Sequence, residues 1–326
     1  TILTGDTLDN RLASTIGETL KYEPGVSSSF FGAGASRPII RGQSGNRIRV
    51  LINGIGTIDA AAASPDHAVA VEPAQAKVIE ILKGPAILRF GSSGSGGVIN
   101  VIDGRIPTEI PKSTQASARI GFSSVDSGKE GAASIEQSLG NNLVLHLDGT
   151  WRETKDYRIP GFAESEIFHE NEEDHDEDHD EEEELVSIDL KQTRIDLNAV
   201  RKLGGYFERL QLFAGYADYE HTEIEGNEIG TVFANEGLEA RLELVQNEVN
   251  GRKGASGIHI RKRDFNALGA EAFVPQTDTR EIGIYTFQEQ SYDNLHLRGA
   301  MRFENNRIIS ESLNQKKSYG LFSVSA

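Results

Sequence analysis

Arg37–Asp103 reads RPIIRGQSGNRIRVLINGIGTIDAAAASPDHAVAVEPAQAKVIEILKGPAILRFGSSGSGGVINVID, apolar strand fragments alternating with glycine-marked turns. Arg47-Ile48-Arg49-Val50-Leu51-Ile52 begins by alternating and ends apolar, the pattern of a short strand with one buried face. Asn53-Gly54 supplies a turn, since both residue types tolerate positive φ. Pro73 is placed to open a short helix over 74–78, after which Ile79-Glu80-Ile81-Leu82 returns as strand and Lys83-Gly84-Pro85 breaks it. Val98–Ile102 is a further β-branched strand. These residues predict a small mixed α+β domain, too irregular for a doubly wound sheet.

Working outward, the texture changes after Pro107 and Pro111 and stays changed to the end. Ten segments follow with period-two hydrophobicity: 114–123, 131–139, 143–152, 192–201, 208–219, 237–248, 257–262, 280–291, 294–304 and 318–326. Most are near the length that a tilted strand needs to cross a bilayer. Gly140-Asn141-Asn142 and Gly204-Gly205 are tight connections, whereas 156–191 and 220–236 read as long polar loops. Short turns on one side and long loops on the other suit an outer-membrane barrel. Trp151, Tyr157, Tyr206, Phe207, Tyr216, Tyr219 and Tyr285 lie near segment ends, where aromatic girdles belong. A β-sandwich or an up-and-down barrel is the alternative that strand texture alone leaves open.

The formal charge is −17 over 326 residues, but 14 acidic residues and no Lys or Arg fall between Ala163 and Glu184, which leaves −3 for everything else. No basic stripe is present to neutralise phosphates, which argues against a nucleic-acid partner. Without cysteine there are neither disulfides nor thiolate metal sites. No apolar run of about 18 residues suits a transmembrane helix. Catalytic motifs are missing as well: FGSSGSGG has no P-loop lysine, and neither HExxH nor GxSxG occurs, so no catalytic residue is assigned and an enzyme is not expected.

Within the acidic block, Phe168–Glu184 reads FHENEEDHDEDHDEEEE, with His169, His175 and His179 among carboxylates. Nothing in it is apolar enough to form a core, and its charges repel. Imidazole and carboxylate together suit Zn²⁺ and similar borderline ions. An EF-hand counted from Asp174 fails, with His179 in place of glycine and Leu185 in place of the bidentate glutamate. Three histidines in such a tract are a compositional metal signal, and its negative field would concentrate cations.

The order of IIRG (39–42), RVLINGIG (49–56), VIEILKGPAILRFG (78–91) and SGGVINVI (95–102) resembles the plug domain of TonB-dependent outer-membrane receptors. The resemblance implies a plug over 1–111, followed over 112–326 by the first part of an antiparallel transmembrane β-barrel, partial here because such barrels close with 22 strands. It implies location in the outer membrane of a Gram-negative bacterium. Its partners would be outer-membrane lipid and the TonB energy-transducing complex. A signal peptide and an energy-coupling segment would then be expected upstream of Thr1, and more barrel beyond Ala326.

Ser64-Pro65-Asp66-His67-Ala68 narrows the resemblance to the zinc-uptake, ZnuD-like branch, in which an Asp-His pair of this plug loop binds metal with groups from the barrel. Asp66 and His67 match that pair. The resemblance makes Glu289, in YTFQEQSYDN (285–294), the barrel carboxylate, with His221 and Glu223 as second choice and a further histidine expected past Ala326. It also makes Arg41 and Arg89 the plug arginines that pair with barrel glutamates, a task suited to a forked, permanently charged group. The expectation is an importer of zinc or a zinc complex, zinc being cargo. Uptake of an iron chelate or haem, or metal buffering without transport, are the alternatives.

Overall fold

The computed structural model describes residues 1–64, 66–104, 111–140, 143–155, 186–226, 228–269, 272 and 274–326. The N-terminal domain is built from β1 (Ile2–Thr4), α1 (Gly5–Asp9), α2 (Ile16–Leu20), β2 (Val26–Ser28), β3 (Pro38–Ile40), β4 (Ile48–Ile52), β5 (Ile55–Gly56), β6 (Val78–Leu82) and β7 (Gly97–Ile102). Its main sheet has the order β1-β6-β7-β4-β5, with β4 and β7 parallel and the other pairs antiparallel. The mixture has a simple cause: β4 and β7 are separated by more than forty residues, enough chain for a crossover. Leu8, Ile16, Leu20, Ile40, Ile79, Ile99 and Val101 form the core between this sheet and the helices.

Asn53 and Gly54 both take positive φ, at 49° and 85°, and turn β4 into β5. The helix expected over 74–78 is one 3₁₀ turn at Pro73–Gln75, ended because Ala76 is already extended. Pro85 does not leave a loop behind it. With Gly84 it opens a 3₁₀ segment over Gly84–Phe90, which carries Leu88 and Arg89 against the barrel wall.

Ten longer strands follow: β8 (Gln115–Phe122), β9 (Lys129–Gly140), β10 (Leu143–Glu153), β11 (Val186–Lys202), β12 (Phe207–Glu225), β13 (Glu228–Gln246), β14 (Arg252–Gly269), β15 (Thr277–Ser291), β16 (His296–Ser310) and β17 (Gln315–Ser325). They form antiparallel meanders of three and seven strands in sequence order. Each contains or overlaps one of the ten segments expected from the sequence. The long loop expected over 220–236 is instead strand: β12 and β13 stay paired from Phe207↔Gln246 to Glu225↔Glu228. The polar residues that suggested a loop, among them His221, Glu223 and Asn235, alternate with the others and turn to the buried side.

That side is the lumen, and the alternation runs opposite to that of a water-borne sheet. Glu239, Arg241, Glu243, His259, Arg302 and Glu304 are nearly fully buried inside, while Leu238, Leu242, Ile258, Ile260, Ile282, Ile284, Met301 and Phe303 are each about half exposed outside. Apolar side chains outward and charges inward are the pattern of a lipid-facing barrel with a polar lumen, which excludes the sandwich reading. Parity also corrects the girdle assignment. Trp151 and Tyr206 face out, but Tyr219 shares the face of His221 and Glu223 on β12, Tyr285 shares that of Glu281 on β15, and both are buried.

Candidate functional site

The plug sits in the lumen through a ladder of ion pairs. Arg49 on β4 reaches Glu239 of β13 at 2.5 Å, and Gly56 N–H donates to the same carboxylate oxygen at 3.4 Å. Arg89 forks onto both oxygens of Glu243, at 2.6 and 3.1 Å, and Tyr285 donates to Glu243 at 2.8 Å. Gly257 lies between Glu243 and Tyr285 in the register, and a Cβ there would meet the Tyr285 hydroxyl oxygen at 2.5 Å. Ser92 donates to Glu304, whose other oxygen holds Arg302 at 2.6 Å. Burial works against the Arg89 charge, but the two-point contact with Glu243 outweighs it and raises the guanidinium above its ordinary value. For Arg49 burial wins and lowers it, with Glu239 opposing.

Of the two plug arginines carried over from the resemblance, Arg89 thus has its barrel glutamate. Arg41 has none among the described residues: it is exposed, in the left-handed conformation with φ 50°, and its N–H closes onto Gly25 O. Arg49, two residues beyond the Asn46-Arg47 turn that follows Arg41, takes the wall-facing position because β4 aims its side chain at β13.

One end of this lumen holds a different arrangement. The connection from Glu153 to Val186 leaves from that end, and long connections mark the outer face of such barrels. There the plug segment after β5 folds over the ends of β12, β13 and β14. Asp59 caps it by accepting from Ala61 N–H and Ala70 N–H. Asn235 donates to Asp59 O at 2.6 Å, Gln192 to Thr57 O, and Arg37 to Ala61 O and Ser64 O. Held in this way, His67 is 1% exposed.

His67 packs on the two barrel residues His221 and Phe233, which face each other across the β12–β13 ladder. The rings of His221 and Phe233 stack at 4.7 Å. The Nδ1 of His67 lies 3.1 Å from Ala60 O, and the Nδ1 of His221 lies 2.8 Å from the Tyr219 hydroxyl. A carbonyl only accepts, so His67 carries a proton on Nδ1, and in the neutral ring the lone pair falls on Nε2. Both Nε2 atoms are buried and make no hydrogen bond. They stand 3.3 and 3.6 Å from Glu223 Oε1. Four ligands at bonds of about 2.0–2.1 Å in a tetrahedron are separated by roughly 3.3 Å. Both distances to Glu223 are therefore near the spacing of ligands around one Zn²⁺-sized ion. Among the described residues, His67, His221 and Glu223 are the one group of three such side chains whose ligand atoms all lie within 4.8 Å of one another.

Asp66 stands at the rim. Its Oδ1 is 3.9 Å from His67 Nε2, buried and without a hydrogen bond, while the rest of the side chain is half exposed. Asp66 and His67 are thus brought to one place, as expected of the plug loop. Glu289 is not. It lies near the inner end of β15, opposite Lys253 and Arg298, and pairs with them at 3.6 and 2.7 Å. Twelve residues of strand, about 40 Å, separate it from Thr277, which is level with Phe265 of the site's apolar floor. The direction of β15 therefore rules Glu289 out of this cluster, and the carboxylate is Glu223. His169, His175 and His179 lie outside the described residues.

The first 98 residues match the family described as TonB-dependent Receptor Plug Domain. Over these residues the chain is a plug domain of the TonB-dependent receptor type. The vitamin B12 transporter BtuB of Vibrio vulnificus (strain CMCP6) is 29% identical to this chain over 161 residues, 49% of this chain and 25% of that protein. The FrpB iron transporter of Neisseria meningitidis, in its apoprotein form, superposes with a TM-score of 0.71 at 14% identity, over 99% of this chain and 60% of that one. The copper transporter OprC superposes with a TM-score of 0.67 at 13% identity, over 96% and 56%. The chain spans a quarter of the BtuB length and rather more than half of these structures. At such identities the structural likeness shows the fold, and the fold belongs to the outer membrane of Gram-negative bacteria.

Proposed function

We propose that this receptor takes up a borderline divalent metal ion, zinc or a zinc complex, and that His67, His221 and Glu223 hold the cargo with Asp66 at the entrance. One observation carries the reading: two buried imidazole nitrogens that make no hydrogen bond converge on a carboxylate oxygen where plug meets barrel. An unpaired buried polar atom costs about 1–3 kcal/mol, and a ligand that accepts both lone pairs removes that cost. Two nitrogens and an oxygen suit Zn²⁺ and disfavour hard ions such as Mg²⁺ and Ca²⁺. Ala60 O behind His67 and Tyr219 behind His221 are the supporting partners that orient such ligands.

Because His67 belongs to the plug and the other two ligands to the barrel, releasing the ion requires the plug loop to move. That motion is the work assigned here to the TonB complex. The 168–184 tract, rich in His and carboxylates, serves as a weak collector that raises the cation concentration above the site. The runner-up cargo, an iron chelate or haem, has no comparable observation in its favour.

The test is zinc calorimetry on the purified receptor and on His67→Ala/His221→Ala. A loss of at least a hundredfold in affinity is expected, with the variant still folded in the outer membrane. Wild-type affinity in the double variant would remove zinc from the reading. Deleting 168–184 should slow uptake only at scarce zinc, and an unchanged rate there would reduce the tract to a solvated surface.

A further inference from the structure

Directly beneath the His67 loop lies a cavity of about 130 Å³ between plug and barrel, separate from the metal cluster. Ala61 and Ala62 of the loop form its roof, and Gly237 and Glu239 of β13 stand on its wall. This volume exceeds many-fold the 10–15 Å³ that a single water needs. Four guanidinium side chains line it: Arg37 and Arg49 from the plug, and Arg261 and Arg263 from β14.

Carboxylates do not balance them there. Glu239 is engaged by Arg49 and by His259 Nε2 at 3.0 Å. Asp59 is turned to the backbone N–H groups of Ala61 and Ala70. Arg261 has Glu281 on one Nη, and Arg263 has only neutral acceptors, Asn235 Oδ1 and Asp59 O. The Nε–H groups of Arg37, Arg49 and Arg261 are all buried without an acceptor, and Arg49 is only 6% exposed. Three idle donors on positive groups around one cavity call for an acceptor that brings negative charge with it.

We propose that this cavity is an anion site, taking a small oxyanion of the sulfate, phosphate or carboxylate kind on Arg37, Arg49, Arg261 and Arg263. A tetrahedral or planar oxyanion presents several acceptor oxygens at once, which suits donors arriving from two plug and two barrel side chains. Such an anion ties plug to barrel beneath the metal cluster, and it neutralises a wall that would otherwise repel a descending dication. The site does not depend on what the histidines bind.

The experiment is a calorimetric titration of the purified receptor with sodium sulfate at constant ionic strength, run without and with zinc. Saturable binding is expected in the zinc-free arm, weakened about tenfold in Arg263→Gln and in Arg261→Gln, and less in Arg261→Lys, which keeps the charge. Arg263 lies outside the plug-holding ion pairs, so its variant tests the cavity with the clamp intact. His67→Ala/His221→Ala should bind sulfate as the wild type does, which separates this inference from the zinc reading. No saturable binding, equal binding in the arginine variants, or binding only when zinc is present would overturn it.

Discussion

Two layers of one lumen, the His67 cluster at the outer end and the ion-pair ladder beneath it, carry opposite surpluses. At the outer end the idle atoms are potential metal ligands: the Nε2 atoms of His67 and His221 and Oδ1 of Asp66. Below, every carboxylate of the clamp is met by a guanidinium, at 2.5 Å for Glu239, 2.6 Å for Glu243 and 2.5 Å for Glu304, and the idle charged groups are the Nε–H donors of arginines. The same plug–barrel seam is therefore built to accept a cation at one depth and to hold itself together at the next. The lesson is that buried charge by itself does not mark a binding site. What marks it is the sign of the groups left over once the internal pairs are made.

The comparison breaks first at Glu239. Replacing it with alanine strands Arg49 in the lumen without its partner, at a cost of about 3–5 kcal/mol. The urea concentration at which the plug becomes open to protease should fall accordingly, whereas Arg49→Met/Glu239→Leu should recover most of the loss. If Glu239→Ala holds its plug as the wild type does, the ladder is not a clamp.

Tyr219→Phe gives a smaller effect and sharpens the upper layer. It keeps the buried ring and removes the hydroxyl that orients His221, so zinc affinity should drop about tenfold, near the lower end of what such supporting contacts contribute. Thermal unfolding should change by far less than in Glu239→Ala. An unaltered zinc titration would show that His221 needs no orienting partner.

Glu289→Gln has the smallest expected effect. It touches only the half-exposed pairs with Lys253 and Arg298 near the inner end of β15, and such pairs are worth about 0–1 kcal/mol. Zinc affinity should match the wild type in the same calorimetric titration. A loss of tenfold or more would place a metal ligand at the wrong end of the lumen and undo the comparison.

The sequence by itself determined the local structure. Period-two alternation set the ten barrel strands, since a strand's faces differ at every second residue, and Asn53-Gly54 with the β-branched runs set the plug's turns and sheet. Asp66-His67 was legible as a pair, as were His221 and Glu223, although the polarity of 220–236 disguised strand as loop. A polar residue reads the same in a loop and on a lumenal face, so only the tertiary structure decided which it was. Tertiary structure also decided the partners. Arg49 rather than Arg41 meets the wall, and Glu223 rather than Glu289 meets His67, because strand direction and register fix which end of the lumen each side chain reaches. That information lies in pairings between residues more than 150 positions apart, and no local pattern carries it.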